Sequence, residues 1–232
     1  MKTVILAGLV MVILVWSVTL VSAEQKSGLD ALTQNSWNGS WTSEDFTLLI
    51  LQNGSSIAGS YTPDNITARD PGLLKGSLSE DGRTFSGIWS ESGTFSFILA
   101  DDGKSFSGAG TVNQEGIAEE PFTYTINGTR EGAIADAENT WTGTWKTGSK
   151  TYSLTQNGTA LSGSYVPFDP ETDEPGLMDG VVSDDGRIMK GTWVESGTFH
   201  FVLSDDGLAF NGTYTTELTD SAITDTWNGR KI

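Results

Sequence analysis

The chain has 232 residues, of which 13 are Lys or Arg and 30 are Asp or Glu, so its formal net charge is −17. This acidic balance argues against nucleic acid as a partner, because phosphate binding needs clustered basic side chains. The absence of cysteine excludes disulfides, thiolate metal sites and cysteine nucleophiles. Frequent glycine, plentiful tryptophan and sparse proline are typical of short strands and tight turns, and they predict a globular all-β protein.

The N-terminus carries an export signal. A basic start, an apolar run from Val4 to Val21 and a small-residue site before Glu24 predict a signal peptide over residues 1–23. The run is also long enough to span a bilayer, so an uncleaved N-terminal anchor is the alternative. Either way we expect the mature body to be secreted or to lie at the extracytoplasmic cell surface. Residues 24–35 are polar and aperiodic, and are interpreted as a linker.

The rest of the chain is an internal repeat. Residues 37–108 overlay residues 141–212 at a constant offset of 104 without a gap, and 33 of the 72 positions are identical. The longest similar stretch, Glu91–Gly103, returns as Glu195–Gly207. Duplication of one structural unit follows.

The repeat sets the predicted domain organisation. Repeat 1 covers residues 36–131, a linker covers 132–139, and repeat 2 covers 140–232. Each unit is close to the commonest domain size, so we expect the repeats to be separate domains and residues 25–131 to fold alone.

What the repeats share is turn formers and aromatic residues. Asn-Gly and Asp-Gly pairs supply the positive φ of hairpin turns, and glycines two residues before an aromatic residue allow the coiling of a closed sheet. We therefore predict that each repeat is an antiparallel meander of about eight strands closing into a small up-and-down β-barrel. Glu91, Ser92 and Gly93 are interpreted as a turn between the fifth and sixth strands. The strands of repeat 1 are predicted near Trp37–Thr42, Phe46–Gln52, Ile57–Tyr61, Leu73–Ser79, Thr84–Ser90, Thr94–Ala100, Ser105–Thr111 and Phe122–Thr129.

Two short patterns carry a family resemblance. A strand ending in Gly-x-Trp is followed by a strand, a turn and Gly-Ser-Tyr, over about 25 residues of each repeat, at Gly39 to Tyr61 and at Gly143 to Tyr165. This resembles the opening of the avidin family, which implies an eight-stranded barrel in which these tyrosines donate hydrogen bonds to a ligand. The resemblance implies the architecture and not a biotin site, because the ligand residues of that family are replaced by Pro63, Pro167, Ser43 and Thr147.

The aromatic residues allow a second interpretation. A carrier could hold a small apolar ligand inside the barrels, although bulky aromatic residues can equally fill an eight-stranded barrel. The candidate ligand-binding residues are Trp41, Tyr61 and Trp89 in repeat 1, with Trp145, Tyr165 and Trp193 in repeat 2.

No catalytic constellation is recognised, and we predict no enzyme activity, cofactor or metal site. The one histidine, His200, lies between Phe199 and Phe201 in a predicted strand and should face outward. Glu91 and Glu195 would be too far apart in two separate barrels to flank one glycosidic bond. Acidic turns such as those at Asp102 and Asp206 are explained by turn formation, with weak Ca2+ binding as the alternative.

Two surface features complete the sequence interpretation. Leu49 and Leu51 stand where repeat 2 has Ser153 and Thr155, so they should form an outward contact patch for the other repeat or a second molecule. Six Asn-x-Ser/Thr sequons are candidate glycosylation sites: Asn38, Asn53, Asn65, Asn127, Asn157 and Asn211.

The sequence thus predicts an exported, non-enzymatic, tandem β-barrel protein that acts as a structural or adhesive module, with the apolar-ligand carrier as the alternative. Self-association or a surface partner is expected. A membrane contact is expected only through an uncleaved N-terminal segment.

Overall fold

A computed structural model describes residues 36–65, 69–113, 121–132, 140–170, 173–216 and 224–232. The predicted signal peptide or anchor and the 24–35 linker lie outside the described residues. The described part belongs to one compact unit. It is all strand and turn, and none of it is a helix that could cross a membrane. The strands are β1 (Gly39–Thr42), β2 (Phe46–Asn53), β3 (Ser56–Pro63), β4 (Gly72–Leu78), β5 (Thr84–Leu99), β6 (Ser105–Val112), β7 (Thr123–Arg130), β8 (Gly143–Lys146), β9 (Lys150–Asn157), β10 (Ala160–Pro167), β11 (Gly176–Val182), β12 (Ile188–Leu203), β13 (Ala209–Thr216), β14 (Thr224–Thr226) and β15 (Gly229–Lys231).

The predicted turn chemistry is confirmed. Gly54 and Gly158 of the two Asn-Gly pairs have φ of 63° and 62°, a conformation that favours glycine. In the Asp-Gly-Arg turns, the Asp81 side chain accepts hydrogen bonds from the Ser79 hydroxyl and the Arg83 amide. The all-β class and the antiparallel pairing of chain neighbours follow from these local signals.

One predicted turn is wrong. Glu91, Ser92 and Gly93 lie inside β5, a continuous strand of 16 residues, and the equivalent positions lie inside β12. The reason is the phase of the side chains, since Phe85, Trp89 and Phe95 all lie at odd positions and are all buried. The inward alternation therefore passes through Glu91 without interruption, and period two describes one long strand.

The two long strands join the sheet into closed rings. β12 pairs with β11 and β13, and along its whole length it also pairs with β5. Eight strands close the first ring, in the order β5, β4, β3, β2, β1, β15, β13 and β12. Eight strands also close the second ring, in the order β5, β6, β7, β8, β9, β10, β11 and β12. Each ring is β-barrel-like and leaves no free edge among its members.

The two-repeat barrel arrangement predicted from the sequence is therefore not confirmed. Each ring combines one half of β5 with one half of β12, so each contains strands of both repeats. Because β5 continues straight through position 91, its second half leaves the ring built by β1 to β4 and enters the ring built by β8 to β11. The sequence repeats do not coincide with the structural rings.

The cores follow the rings rather than the repeats. The first core packs Trp37, Trp41 and Phe85 from repeat 1 against Phe201 and Phe210 from repeat 2. The centroids of the aromatic side chains in this cluster lie 4.6–6.0 Å apart for the pairs Phe201–Phe210, Trp41–Phe210 and Phe85–Phe201. The second core combines the two repeats in the same way. Burial of large aromatic residues across the repeats ties the two halves of the chain into one structure.

A pseudo-two-fold axis passes through the centre of the β5–β12 ladder. Every paired position in this ladder sums to 286, while repeat equivalents differ by 104. Only one pair satisfies both conditions, so Glu91 faces its own repeat copy, Glu195. On either side, Trp89 lies opposite Gly197 and Trp193 opposite Gly93. These glycines are required, because a Cβ on residue 197 would lie 2.6 Å from Nε1 of Trp89.

The ends of the ladder are held by two equivalent arginines. Arg83 Nη2 donates to the Leu203 carbonyl at 2.8 Å, and Arg83 also pairs with Asp205 at 2.5 Å. Arg187 Nε donates to the Leu99 carbonyl in the same way at 3.1 Å. The repeated Asp-Gly-Arg turns thus close the β5–β12 ladder as well as forming hairpins.

The outward positions agree with the predicted alternation. In β2, Leu48 and Ile50 are buried, whereas Leu49 and Leu51 are 48% and 61% exposed. His200 is also exposed, and its Nδ1 lies 2.8 Å from the Ser86 hydroxyl. The predicted orientation of β2 and of His200 is confirmed, while the contact role of the leucines stays a prediction.

We expect residues 25–131, produced alone, to form a dimer rather than a folded monomer. The fragment lacks β12, but two copies of β5 can pair with each other around Glu91 and rebuild both rings. Sedimentation velocity and circular dichroism should report a β-rich dimer. A monomer with dispersed amide NMR signals would instead show that one repeat closes by itself.

We expect Trp193→Ala to lower the free energy of unfolding by about 3–5 kcal/mol, because Trp193 is 4% exposed and its removal leaves a cavity. Urea titration measures the change. The matched control is Val194→Ala, which lies next to it on the outward face and should change stability by only about 0.5 kcal/mol. A loss below about 1 kcal/mol for Trp193→Ala would contradict a packed core.

Candidate functional site

The centre of the β5–β12 ladder is acidic and buried. Glu91 is 8% exposed and Glu195 is 1% exposed, and both occupy inward positions that elsewhere in these strands hold apolar residues or glycine. The antiparallel register places them directly opposite each other. The expectation that these two acids lie too far apart to flank one glycosidic bond assumed two separate barrels, and the pairing of Glu91 with Glu195 contradicts the large separation.

A tyrosine supports each carboxylate. The Tyr61 hydroxyl donates to Glu91 Oε1 at 2.9 Å, and the Tyr165 hydroxyl donates to Glu195 Oε1 at 2.8 Å. These are the tyrosines that the avidin resemblance implies as ligand donors. In this structure their hydroxyls donate to carboxylates, so they position the acid pair.

Two equivalent loops add three more acids. Asp70 precedes β4 and Glu174 precedes β11, each in front of a Pro-Gly pair at an offset of 104. Asp173 stands beside Glu174. Carboxylate oxygens of Asp70, Glu91 and Glu195 lie within 4.8 Å of one another, and so do those of Asp173, Glu174 and Glu195. No such cluster was expected from the sequence.

Carboxylates this close cannot all carry full charge at little cost. Two unit charges at such a distance repel by roughly 3 kcal/mol at an effective dielectric constant of about 20. That is several times the thermal energy, so the cluster favours bound protons or bound cations. Oxygen ligands of this kind suit hard divalent cations, and they also suit ammonium groups.

The two halves of the site differ in their built-in cations. Lys150 Nζ lies 3.0 Å from Glu195 Oε1 and 2.9 Å from Asp173 Oδ1. The repeat equivalent of Lys150 is Phe46, and the equivalent of Asp173 is Arg69. Among the described residues, no cationic side chain makes an ion pair with Glu91.

Burial and mutual repulsion raise the pKa values of the acids. Burial is the largest cause for Glu91, whose pKa is raised well above its usual value, with Glu174, Glu195 and Asp70 adding to the shift. Burial also raises the pKa of Glu195 to about 7, although Lys150 opposes that shift. The pKa of Asp70 is raised to about 6, again mainly by burial. The site therefore takes up protons in the neutral range.

Two cavities open at the acid pair. One of about 490 Å³ is lined by Lys150, Tyr124, Tyr152 and Phe122 on the side of the second ring. The other, of about 350 Å³, lies on the side of the first ring. Glu91, Glu174, Phe46 and Arg69 line both cavities. Both volumes are in the range of small-molecule sites.

The predicted ligand residues fall into two groups. Trp41 and Trp145 are fully buried in the cores, and their Nε1 atoms donate to the carbonyls of Trp37 and Trp141. Trp89, Trp193, Tyr61 and Tyr165 lie near the acid pair instead, and of these Tyr61 and Trp89 line the smaller cavity. The structure brings the second group together at one place and leaves the first group in the cores.

The remaining candidates lie on the surface. The acidic turns satisfy their own backbone: Asp206 accepts from the Ser204 hydroxyl and the Leu208 amide, and Asp102 accepts from the Lys104 amide. All six sequon asparagines are exposed, as glycosylation requires: Asn38, Asn53, Asn65, Asn127, Asn157 and Asn211.

The sequence contained a signal for the acid pair. Glu91 lies in phase with Trp89 and Phe95, so a continuous strand places a carboxylate on the buried face. Both repeats keep that glutamate, and both keep an acid before Pro-Gly. An inward charge repeated in both halves is a buried-site signal, which the interpretation of this stretch as a turn concealed.

We expect the free energy of unfolding to fall as pH rises from 5 to 8. Exposed Glu and Asp have pKa values of about 4.3 and 3.9, whereas the folded pKa values of Glu195 and Asp70 are about 7 and about 6. The folded state thus binds these protons more tightly, and this stabilisation is complete below about pH 4 and lost as pH rises towards 7.

Urea titrations at several pH values measure this dependence. Glu195→Gln should flatten it, because the amide cannot ionise, whereas Glu80→Gln on an exposed turn should leave its slope unchanged. An equal slope in the wild type and in Glu195→Gln would contradict the assignment.

Compared with known proteins, the chain matches no family model, no curated protein and no solved structure. The functional conclusion is therefore drawn from the site itself.

Proposed function

We propose that the protein is an exported, non-enzymatic binding module that binds a cationic ligand in an acidic cleft. The cleft consists of the two cavities beside Glu91 at the centre of the β5–β12 ladder. One observation carries this proposal. Five carboxylates converge on two open cavities, while only Lys150 and Arg69 among the cavity-lining residues are cationic.

The imbalance of charge favours a cation over a neutral or anionic ligand. Lys150 pairs with Glu195 and Asp173. Arg69 pairs with Asp45 at 3.7 Å, outside the cluster. Asp70, Glu91 and Glu174 make no ion pair among the described residues, although Lys150 attracts Asp70 and Glu174 at longer range and Arg69 attracts Glu174. These two cations do not balance five carboxylates, so a cation entering the cleft gains attraction.

The geometry favours binding over hydrolysis. A glycosidase holds its two carboxyl groups on either side of the scissile bond, with the substrate between them. Glu91 and Glu195 lie side by side on adjacent strands, both bonded to tyrosines and almost fully buried. Their ligand oxygens lie within 4.8 Å of each other, which is less than the roughly 5–5.5 Å that separates the carboxyl groups of retaining glycosidases.

The packing of the rings bears on the two functions expected from the sequence. Close aromatic contacts such as Phe97–Phe106 at 4.8 Å and Phe85–Phe199 at 4.6 Å favour interiors filled by side chains. This argues against an apolar-ligand carrier. A structural or adhesive role is compatible with the fold, and the acidic cleft adds a specific ligand to it.

The location and surface properties remain part of the proposal. The signal-like pattern over residues 1–23 supports export, and exposed sequon asparagines support glycosylation. Leu49 and Leu51 support a contact with a second molecule. The resemblance to the avidin family lies at Gly39 to Tyr61 and at Gly143 to Tyr165, and eight-stranded rings are compatible with it.

Isothermal titration calorimetry of the full chain tests the cation proposal with CaCl2, MgCl2 and an alkylammonium chloride. We expect at least one cation to bind, at least tenfold more tightly at pH 8 than at pH 5.5, because protons occupy the carboxylates at the lower pH. Cation binding should also release protons, which appears as a dependence of the heat on the ionisation enthalpy of the buffer.

Glu91→Gln should weaken this binding at least tenfold, while Glu80→Gln removes the same charge from an exposed turn and should have no effect. If none of the three cations binds at pH 8, the cleft is structural and the protein is better described as a structural or adhesive module.

A further inference from the structure

In the second ring, the Lys150 side chain occupies the site in the way that a bound ligand would. The Lys150 side chain is a butylammonium group that reaches from β9 into the cleft, and it is 15% exposed. Its Nζ contacts the carboxylates of Glu195 and Asp173 and lies 4.4 Å from the centroid of the Tyr165 ring. Two carboxylates and one aromatic face therefore hold an ammonium group in this half of the site.

The first ring keeps most of this arrangement but lacks the ammonium group. The equivalents of Glu195 and Tyr165 are Glu91 and Tyr61, which make the same hydrogen bond. The equivalent of Lys150 is Phe46, which packs edge-on against Tyr61 at 5.5 Å. In the part of the chain that the structure describes, no ammonium group contacts Glu91 as Lys150 contacts Glu195.

The space next to Glu91 is a cavity with aromatic walls. It has a volume of about 350 Å³, and it is lined by the aromatic side chains of Phe46, Tyr61, Tyr214 and Trp227. Trp227 lies 5.1 Å from Tyr61 and 5.7 Å from Tyr214, with steep interplanar angles of 87° and 74°. Aromatic side chains that line a cavity from several sides can present their faces to a bound organic cation, as aromatic cages do for ammonium groups.

We propose that the cavity of the first ring binds a small organic ammonium ion, whose charged group lies beside Glu91 as the Lys150 ammonium lies beside Glu195. This deepens the proposed function, because it names the ligand class of the same acidic cleft. Phe46, Tyr61 and Trp227 contact the organic part, and Glu91 and Glu174 neutralise the charge.

One difference between the repeats opposes the binding of a cation in the first ring. Arg69 replaces Asp173, so the first ring has one carboxylate fewer and one guanidinium more. That guanidinium lies 5.8 Å from the centre of the Phe46 ring and is directed at Asp45, with no contact to Glu91 among the described pairs. Glu174 lines the cavity and supplies the second carboxylate in place of Asp173. Arg69 lines the same cavity and attracts Glu174, so Glu91 is the carboxylate that the ammonium group must pair with.

The test uses the full chain and n-butylammonium chloride, which reproduces the lysine side chain as a free molecule. Calorimetry at pH 8 compares it with n-butanol, a neutral molecule of the same shape, and with CaCl2. We expect n-butylammonium to bind with a stoichiometry of one per chain and at least tenfold more tightly than n-butanol.

Two variants locate the site. Phe46→Lys copies the second repeat and should place a built-in ammonium beside Glu91, so n-butylammonium binding should fall at least tenfold while the melting temperature stays the same or rises. Lys150→Ala should create a second vacancy, so the stoichiometry should rise from one to two and added n-butylammonium should restore lost thermal stability. Glu80→Gln is the matched surface control.

Each outcome decides between the proposals. If n-butanol and n-butylammonium bind equally well, the cavity is apolar, and both the ammonium site and the cation-binding function are overturned. Binding of Ca2+ without n-butylammonium would overturn the ammonium site and leave a cation-binding function standing. Unchanged n-butylammonium binding in a folded Phe46→Lys variant would place the ligand elsewhere and overturn this inference. The comparison of the three ligands on the wild type requires no variant to fold.

Discussion

The structure depends on one contact, the pairing of Glu91 with Glu195 at the centre of the β5–β12 ladder. When two copies of a strand pair antiparallel in a register whose two-fold axis passes through a residue, that residue faces its own copy, and in this chain it is a glutamate. Whatever residue occupies the axis is therefore doubled. A single glutamate in the ancestral unit becomes a carboxylate pair as soon as the duplicated strands meet, so the acidic centre is a direct consequence of duplication with this register.

The same pairing explains the topology. A strand of 16 residues is long enough to serve two rings, and β5 and β12 each give one half to each ring. The two repeats thus exchange strands in the manner of a domain-swapped dimer, except that both belong to one chain. Aromatic cores built from both repeats make this arrangement costly to separate, because each core would lose about a third of its buried residues.

The differences between the repeats tell more about function than their similarity does. Equivalent residues maintain the frame, as with Trp37 and Trp141, whose Nε1 atoms donate to the carbonyls of Gly82 and Gly186. Around the axis both halves keep the hydrogen bond between a tyrosine and a glutamate, but only one half has a lysine beside it, since Phe46 stands at the position equivalent to Lys150. After duplication a protein can satisfy one copy of a charged site internally and leave the other copy open. The buried acids are tolerated because protons, tyrosine hydroxyls and one lysine offset part of their repulsion.

The sequence by itself determined the class, the hairpin turns and the direction of the side chains. Asn-Gly and Asp-Gly pairs act through local backbone conformation, and the alternation of Leu48 and Ile50 with Leu49 and Leu51 acts through period two, so both are readable without a fold. The tertiary structure alone decided which strands close a ring and which acids meet. A Glu-Ser-Gly stretch is compatible with a turn or with a strand, and the choice depends on whether β12 is present as a partner. Once β5 runs straight, non-local pairing brings Glu91 to Glu195 across 104 residues and adds Asp70 and Glu174 from two loops. No local pattern specifies that encounter, because its energy comes from cores shared between distant segments rather than from the residues that meet.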